Sequence, residues 1–124
     1  MYLRSAIPPV SSSIQSTDLK PSLTSQQEEH EQRKFSLLAE TFQALGDASR
    51  VRIIWHLSQK EYKVGELAQA LSMSQPAVSH HLRILRQLRL VKVRRDGRIA
   101  FYALDDRHID RLLQEGIEHV EELM

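Results

Sequence analysis

Cysteine is absent from all 124 residues. Disulfides, thiolate metal sites and thiol redox switches are therefore excluded. No apolar run approaches the ~18 residues of a membrane span, and the N-terminus lacks the apolar core of a secretory signal, so a soluble cytoplasmic protein is the default expectation. No internal repeat is present. Proline is scarce beyond the start: three of the four lie in residues 1–24, a serine-rich stretch with no persistent helical or strand period, which reads as a disordered or flexible arm. What remains is 41% hydrophobic and 27% charged, the balance of one globular domain of modest core over residues 25–124.

The net charge of +1 hides a segregation along the chain. Residues 51–104 hold ten Lys/Arg against three Asp/Glu, and residues 105–124 hold two against seven. A basic middle suits phosphates and an acidic end suits cations.

Local signals order the elements. Ser25 and Glu28 have the spacing of a capping box, and Phe35, Leu38, Phe42 and Leu45 then recur at three and four residues until Gly46, which predicts a first helix. Asp47 can cap a second, with Val51, Ile54 and Leu57 inward. In "KVGELAQALSMSQPAVSHHLRILRQLRLV", Val64, Leu67, Ala68 and Leu71 make a short apolar stripe. Ser74 is an N-cap, and Pro76 falls in the first turn of a longer helix, where its missing N–H costs nothing. That is a helix-turn-helix pattern. Asp96-Gly97 between two runs rich in Val, Ile, Phe and Tyr predicts a β-hairpin, and a last helix starts near Asp105 or Asp106.

On the second helix of the pair, Val78, Leu82 and Leu85 fall on one side. Gln75, Ser79, Arg83 and Arg86 fall on the opposite quadrant, with His80 at its edge. Gln can pair with adenine, Ser and His reach base edges, and Arg serves guanine or phosphate, so this face fits a DNA major groove. Lys92, Arg94, Arg95 and Arg98 surround the hairpin tip, where they add affinity more than specificity. A solvated cationic helix beside an ordinary hairpin is the plainer alternative; the succession of helix, tight turn, capped helix and Arg-tipped hairpin favours DNA reading. His80 and His81 point about 100° apart and do not make a metal or catalytic pair. His56 reads as a packing residue, His30 as surface and Trp55 as core.

These stretches resemble the ArsR/SmtB family of winged-helix, metal-responsive repressors. The resemblance rests on "LGDASRVRIIWHL", on the helix-turn-helix stretch above, and on "RRDGRIAFYAL" followed by "DDRHI", and runs from about residue 33 to residue 124. Ala48 departs from it, standing where many relatives have proline, and affects only how that helix starts. The resemblance implies a mainly α, winged helix-turn-helix fold with a two-stranded wing. It further implies a homodimer paired through its first and last helices, and double-stranded operator DNA as partner. The family's thiolate site resembles "ELCV" in the members that have it; here the stretch is "EYKV", with Lys63 in the cysteine position, so thiolate sensing of arsenic, lead or cadmium is excluded.

In the zinc-sensing branch, an Asp-x-His pair opening the last helix is joined by a His-x-x-Glu or His-x-x-His pair near its end, from the other protomer. The matching residues are Asp106 and His108, then His119 and Glu122, with no departure in type or spacing. One chain cannot close such a site with both histidines, because eleven helical residues span about 16 Å and each zinc bond is about 2 Å. His108, His119 and Glu122 nevertheless lie within about 60° on the wheel, at the edge of a stripe of Ile109, Leu112, Leu113, Gly116, Val120 and Leu123. Two stripes packed antiparallel about a two-fold between residues 113 and 114 bring His108 of one chain to His119 of the other. Gly116 would let the backbones approach, and each dimer would hold two equivalent sites. Two imidazoles and two carboxylates suit Zn(II), and Co(II) similarly. Ni(II) usually takes more ligands, with only His30 to add.

The implied function is a repressor that holds operator DNA in the apo form and is released by Zn(II), with apparent zinc affinity falling below about pH 6.5 as histidines protonate. The alternative is a winged-helix regulator whose metal site is structural or vestigial. An enzyme such as a metal hydrolase is disfavoured, because protein ligands would fill all four positions.

Overall fold

The computed structural model describes residues 24–124. The elements run α1 Ser25–Leu45, α2 Ala48–Gln59, α3 Val64–Leu71, α4 Gln75–Gln87, β1 Val91–Asp96, β2 Ile99–Leu104 and α5 Arg107–Glu122. The arm expected over residues 1–24 lies outside the described residues except for Thr24.

Four of the five helices start where the preceding residue supplies an acceptor for an unsatisfied amide. Asp47 accepts from the Arg50 amide at 3.1 Å, Ser74 from Ala77 at 3.3 Å, and Asp106 from His108 and Ile109. The expected box at Ser25 and Glu28 forms one residue earlier. The Thr24 amide donates to Gln27 Oε1 at 2.8 Å, and the Gln27 amide to Thr24 Oγ1 at 3.2 Å, because glutamine completes a capping box as well as glutamate does.

Both helices of the helix-turn-helix end on a left-handed residue that is not glycine, Ser72 at φ 53° and Arg89 at φ 57°. After α4, the Arg89 amide bonds the Arg86 carbonyl at 3.0 Å and the Leu90 amide bonds Leu85 at 2.9 Å. This is a Schellman closure that turns Leu90 into the core.

In residues 35–124, the core lies among α2, α3, α4 and the root of the hairpin. Ile53, Ile54, Leu67, Val78, Leu82, Leu85 and Val91 are essentially fully buried, each worth about 1.5–3 kcal/mol of transfer free energy. Leu104, Ile109 and Leu113 pack half-buried against it. Trp55 departs from expectation: it is 44% exposed. Ile53, Ile54 and Leu57 take the inward positions of α2, leaving Trp55 on its outer side, edge-on to the half-buried His56 with ring centroids 5.0 Å apart.

The hairpin pairs Val91 with Leu104 through to Asp96 with Ile99. Gly97 and Arg98, one residue later than expected, form its turn. Only Gly97 has positive φ, at 62°, the pattern of a turn with glycine at its first central position. A third extended segment, absent from the sequence reading, bridges Tyr62 to Tyr102 on the free side of β2.

Candidate functional site

Helix α4 presents two chemically distinct sides. Val78, Leu82 and Leu85 are buried, whereas Gln75, His80, Arg83 and Arg86 are exposed and Ser79 is half-buried. The residues expected to read DNA therefore share one outward face. Gln75 also lies across α3, its Nε2 3.4 Å from where a Cβ at Gly65 would stand. His81, in contrast, is held inside: its Nδ1 accepts from Arg50 Nε at 3.2 Å, while Arg50 Nη1 reaches the Ala44 carbonyl at 3.1 Å. That contact ties α4 to the α1–α2 corner and separates His81 from His80 in role.

The wing places Arg95 and Arg98 in the open. Arg94 is paired with Glu61, Nη2 to Oε2 at 2.7 Å, a contact that lowers the Glu61 carboxyl and raises the Arg94 guanidinium from their ordinary values. Sequence reasoning passed over Glu61 and Tyr62. The only local signal was the alternation in "EYKV".

Helix α5 carries the acidic donors. Asp106 Oδ1 accepts from the amides of His108 at 2.8 Å and Ile109 at 3.3 Å, and stands 3.4 Å from His108 Nδ1. Partial desolvation pushes the Asp106 carboxyl up, but the Ile109 amide and the His108 ring and amide outweigh it, leaving it below its usual value. It is thus a charged oxygen donor beside an imidazole. His119 and Glu122 sit exposed at the far end of the same helix. Among the described residues of one chain, no three His, Asp or Glu side chains gather closely enough to hold a metal. The chain brings together Asp106 with His108 and keeps His119 with Glu122 apart from them, two half-sets of nitrogen and oxygen donors whose chemistry fits Zn(II) if joined.

Between these half-sets runs an apolar groove of about 440 Å³ lined by Phe42, Val51, Ile54, Leu113, Ile117 and Val120, among others. Ile117 was not part of the expected stripe. Phe35, Leu38, Phe42, Leu112, Val120 and Leu123 are all more than a third exposed, a large apolar face on α1 and α5. At the base of α5, the Asp105 amide donates to the Leu90 carbonyl at 3.1 Å, joining the residue beside Asp106 to the closure of α4.

A capped two-helix head with a cationic outer face, flanked by a β-hairpin, defines a winged helix-turn-helix regulator. The chain belongs to the ArsR family: residues 47–93 match the family described as bacterial regulatory protein, arsR family. It is 48% identical over 85 residues to the transcriptional repressor SmtB homolog of Synechocystis sp., a match spanning 68% of this chain and 64%, just under two thirds, of that one. It is 46% identical over 86 residues to the HTH-type transcriptional regulator NmtR of Mycobacterium tuberculosis, spanning 69% of this chain and 72% of that one. The homodimeric winged helix-turn-helix DNA-binding domain of Mb0332 from Mycobacterium bovis shares the fold, with a TM-score of 0.73 at 23% identity over 83% of this chain and 92% of that one. These relatives are transcriptional regulators, not enzymes.

Proposed function

We propose that the protein is a homodimeric, metal-responsive repressor that binds operator DNA in the apo form and is released by Zn(II) at two inter-subunit sites. Each site would comprise Asp106 and His108 of one chain with His119 and Glu122 of a second copy. The observation that carries this reading is the uncovered apolar face of α5, with a pair of nitrogen and oxygen donors at each end. An antiparallel partner helix covers the face and joins the halves in one step. Burying it also removes the exposed aromatic and aliphatic side chains from water.

In the dimer the two α4 faces engage successive major grooves, roughly 34 Å apart. Gln75, Ser79 and His80 meet base edges, Arg83 and Arg86 reach guanine or phosphate, and Arg95 and Arg98 supply the positive field of the wing, the charge of Arg94 being matched by Glu61. Phosphate contacts make binding fall steeply with salt.

Zn(II), or Co(II) by the same donor chemistry, would supply a cross-link between the two α5 helices when bound. The residues then act as follows. His108 and His119 would offer ring nitrogens and Asp106 and Glu122 carboxylate oxygens, with Asp106 Oδ1 already accepting the His108 and Ile109 amides. A shift at the start of α5 passes through the Asp105–Leu90 bond to the end of α4. Metal and operator are thereby negatively coupled, each weakening the other by the same factor, about 5- to 150-fold for typical couplings. The site of action is the cytoplasm, where operator DNA lies; no helix among the described residues is long and apolar enough to cross a membrane.

The test is operator binding with and without one equivalent of Zn(II) per protomer, for the unaltered chain and for His108→Ala and His119→Ala. Metal should release the unaltered protein and leave both variants bound. Variants that instead dissociate into monomers would favour a purely structural metal. Arg83→Ala and Ser79→Ala should weaken operator binding while the dimer persists.

A further inference from the structure

The three wing arginines are not equivalent. Strand alternation puts successive side chains on opposite faces, so the pairing Lys92–Ala103 and Arg94–Phe101 defines one face and Arg95 belongs to the other. Tyr62 joins the sheet through two backbone bonds to Tyr102, of 3.0 and 2.8 Å. Its neighbours Glu61 and Lys63 therefore share the face of Arg94 and Phe101. Ala103 is small enough for Glu61 to reach past it. Arg94 meets Glu61 with two prongs, Nη2 to Oε2 at 2.7 Å and Nε to Oε1 at 3.4 Å, and its guanidinium lies 4.6 Å over the Phe101 ring. Lys63 Nζ is 6.0 Å from the same ring.

An exposed ion pair alone contributes little. Here the carboxylate is fixed by a backbone bridge one residue away and the guanidinium by an aromatic face, so the pair has a defined geometry. It also spans from the α2–α3 connection, part of the helical body, to a two-stranded hairpin of a kind that is marginal by itself.

Resting on the reading of this molecule as a DNA-binding winged helix, we propose that Glu61 is a wing-positioning residue. It clasps Arg94, fixing the hairpin to the helix-turn-helix body, so that the wing's direct phosphate contacts are made by Arg95 and Arg98 and not by Arg94. Two of the Arg94 donors are committed to the carboxylate, and its face of the hairpin is turned to the body's own Glu61 and Lys63.

The full chain is titrated with a mixed-sequence DNA duplex over a range of salt concentrations. Arg95→Gln and Arg98→Gln should each lower the slope of log affinity against log salt by about one, and Arg94→Gln should leave it unchanged. Arg94→Glu should weaken binding by about tenfold, and adding Glu61→Arg to it should restore affinity to within about threefold by rebuilding the clasp with reversed charges. A slope loss of about one for Arg94→Gln, with no rescue by the swap, would overturn the proposal and make Arg94 a phosphate contact. Should Arg83, Arg95 and Arg98 all prove replaceable by Gln without change of slope, the DNA-binding reading itself falls and the clasp proposal falls with it.

Discussion

Asp106 grips His108 twice: its Oδ1 accepts the His108 amide at 2.8 Å and stands 3.4 Å from the ring Nδ1. One carboxylate starts α5 and orients the imidazole beside it. The two duties separate on substitution, because asparagine caps a helix as well as aspartate does but carries no charge. Asp106→Asn should leave the metal-free thermal midpoint near that of the unaltered chain and cut Zn(II) affinity by at least about tenfold. Asp106→Ala should lower both. Calorimetric titration and thermal melting read the two effects, and an Asn variant that binds zinc normally would remove Asp106 from the ligand set.

Gly116 lies mid-way along α5, and a Cβ there meets nothing within 4 Å in the single chain. Alanine is the better helix former by about 0.5–1 kcal/mol. Gly116→Ala should therefore stabilise α5 in the dilute monomer yet weaken self-association, if two α5 backbones cross there. Sedimentation equilibrium decides the matter: unchanged or tighter association would place the crossing elsewhere on the helix.

His56 packs between Trp55 and Tyr62, and burial, aided by the charge of Arg52, holds its pKa below the ordinary histidine value. The unfolded chain then binds that proton more readily than the folded one. Stability should fall as pH drops from about 6.5, the unfolded value, to the lowered folded value, and no further on this account below it. His56→Phe should remove this part of the pH dependence, measured as urea midpoints on either side of the window. An identical fall in the variant would assign it to other groups.

Arg89 closes α4 in a left-handed conformation, φ 57°, that L-residues adopt at a cost of about 1 kcal/mol. Arg89→Gly should raise stability by up to about 1 kcal/mol in denaturant unfolding, because glycine is the preferred residue at such a closure. A loss of stability instead would show that the arginine side chain makes a compensating contact.

Much of the local geometry was legible in the sequence, and the reason is range. The caps at Asp47, Ser74 and Asp106, the stripe Val78–Leu82–Leu85 and the outward face through Arg83 and Arg86 all depend on residues within a turn or two of one another. Backbone hydrogen bonding and side-chain direction fix those relationships locally. The spacings Asp106–His108 and His119–Glu122 are visible for the same reason, being short and on one helix, while their joint role as ligands belongs to the proposed dimer. Small misplacements arose where two neighbouring residues could serve equally, as with Thr24–Gln27 in place of Ser25–Glu28.

The sequence by itself thus determined the element order, the amphipathic sides of α4 and α5, and the absence of any thiolate chemistry. Tertiary structure alone decided that Trp55 lies outside while Ile53 lies inside, and that Tyr62 extends the wing's sheet. It also decided that Arg50 holds His81 across 31 residues and that Glu61 holds Arg94 across 33. Such pairings carry no periodic or capping signature, since they form only when packing of the core brings distant segments together and repays the entropy of closing the loops between them.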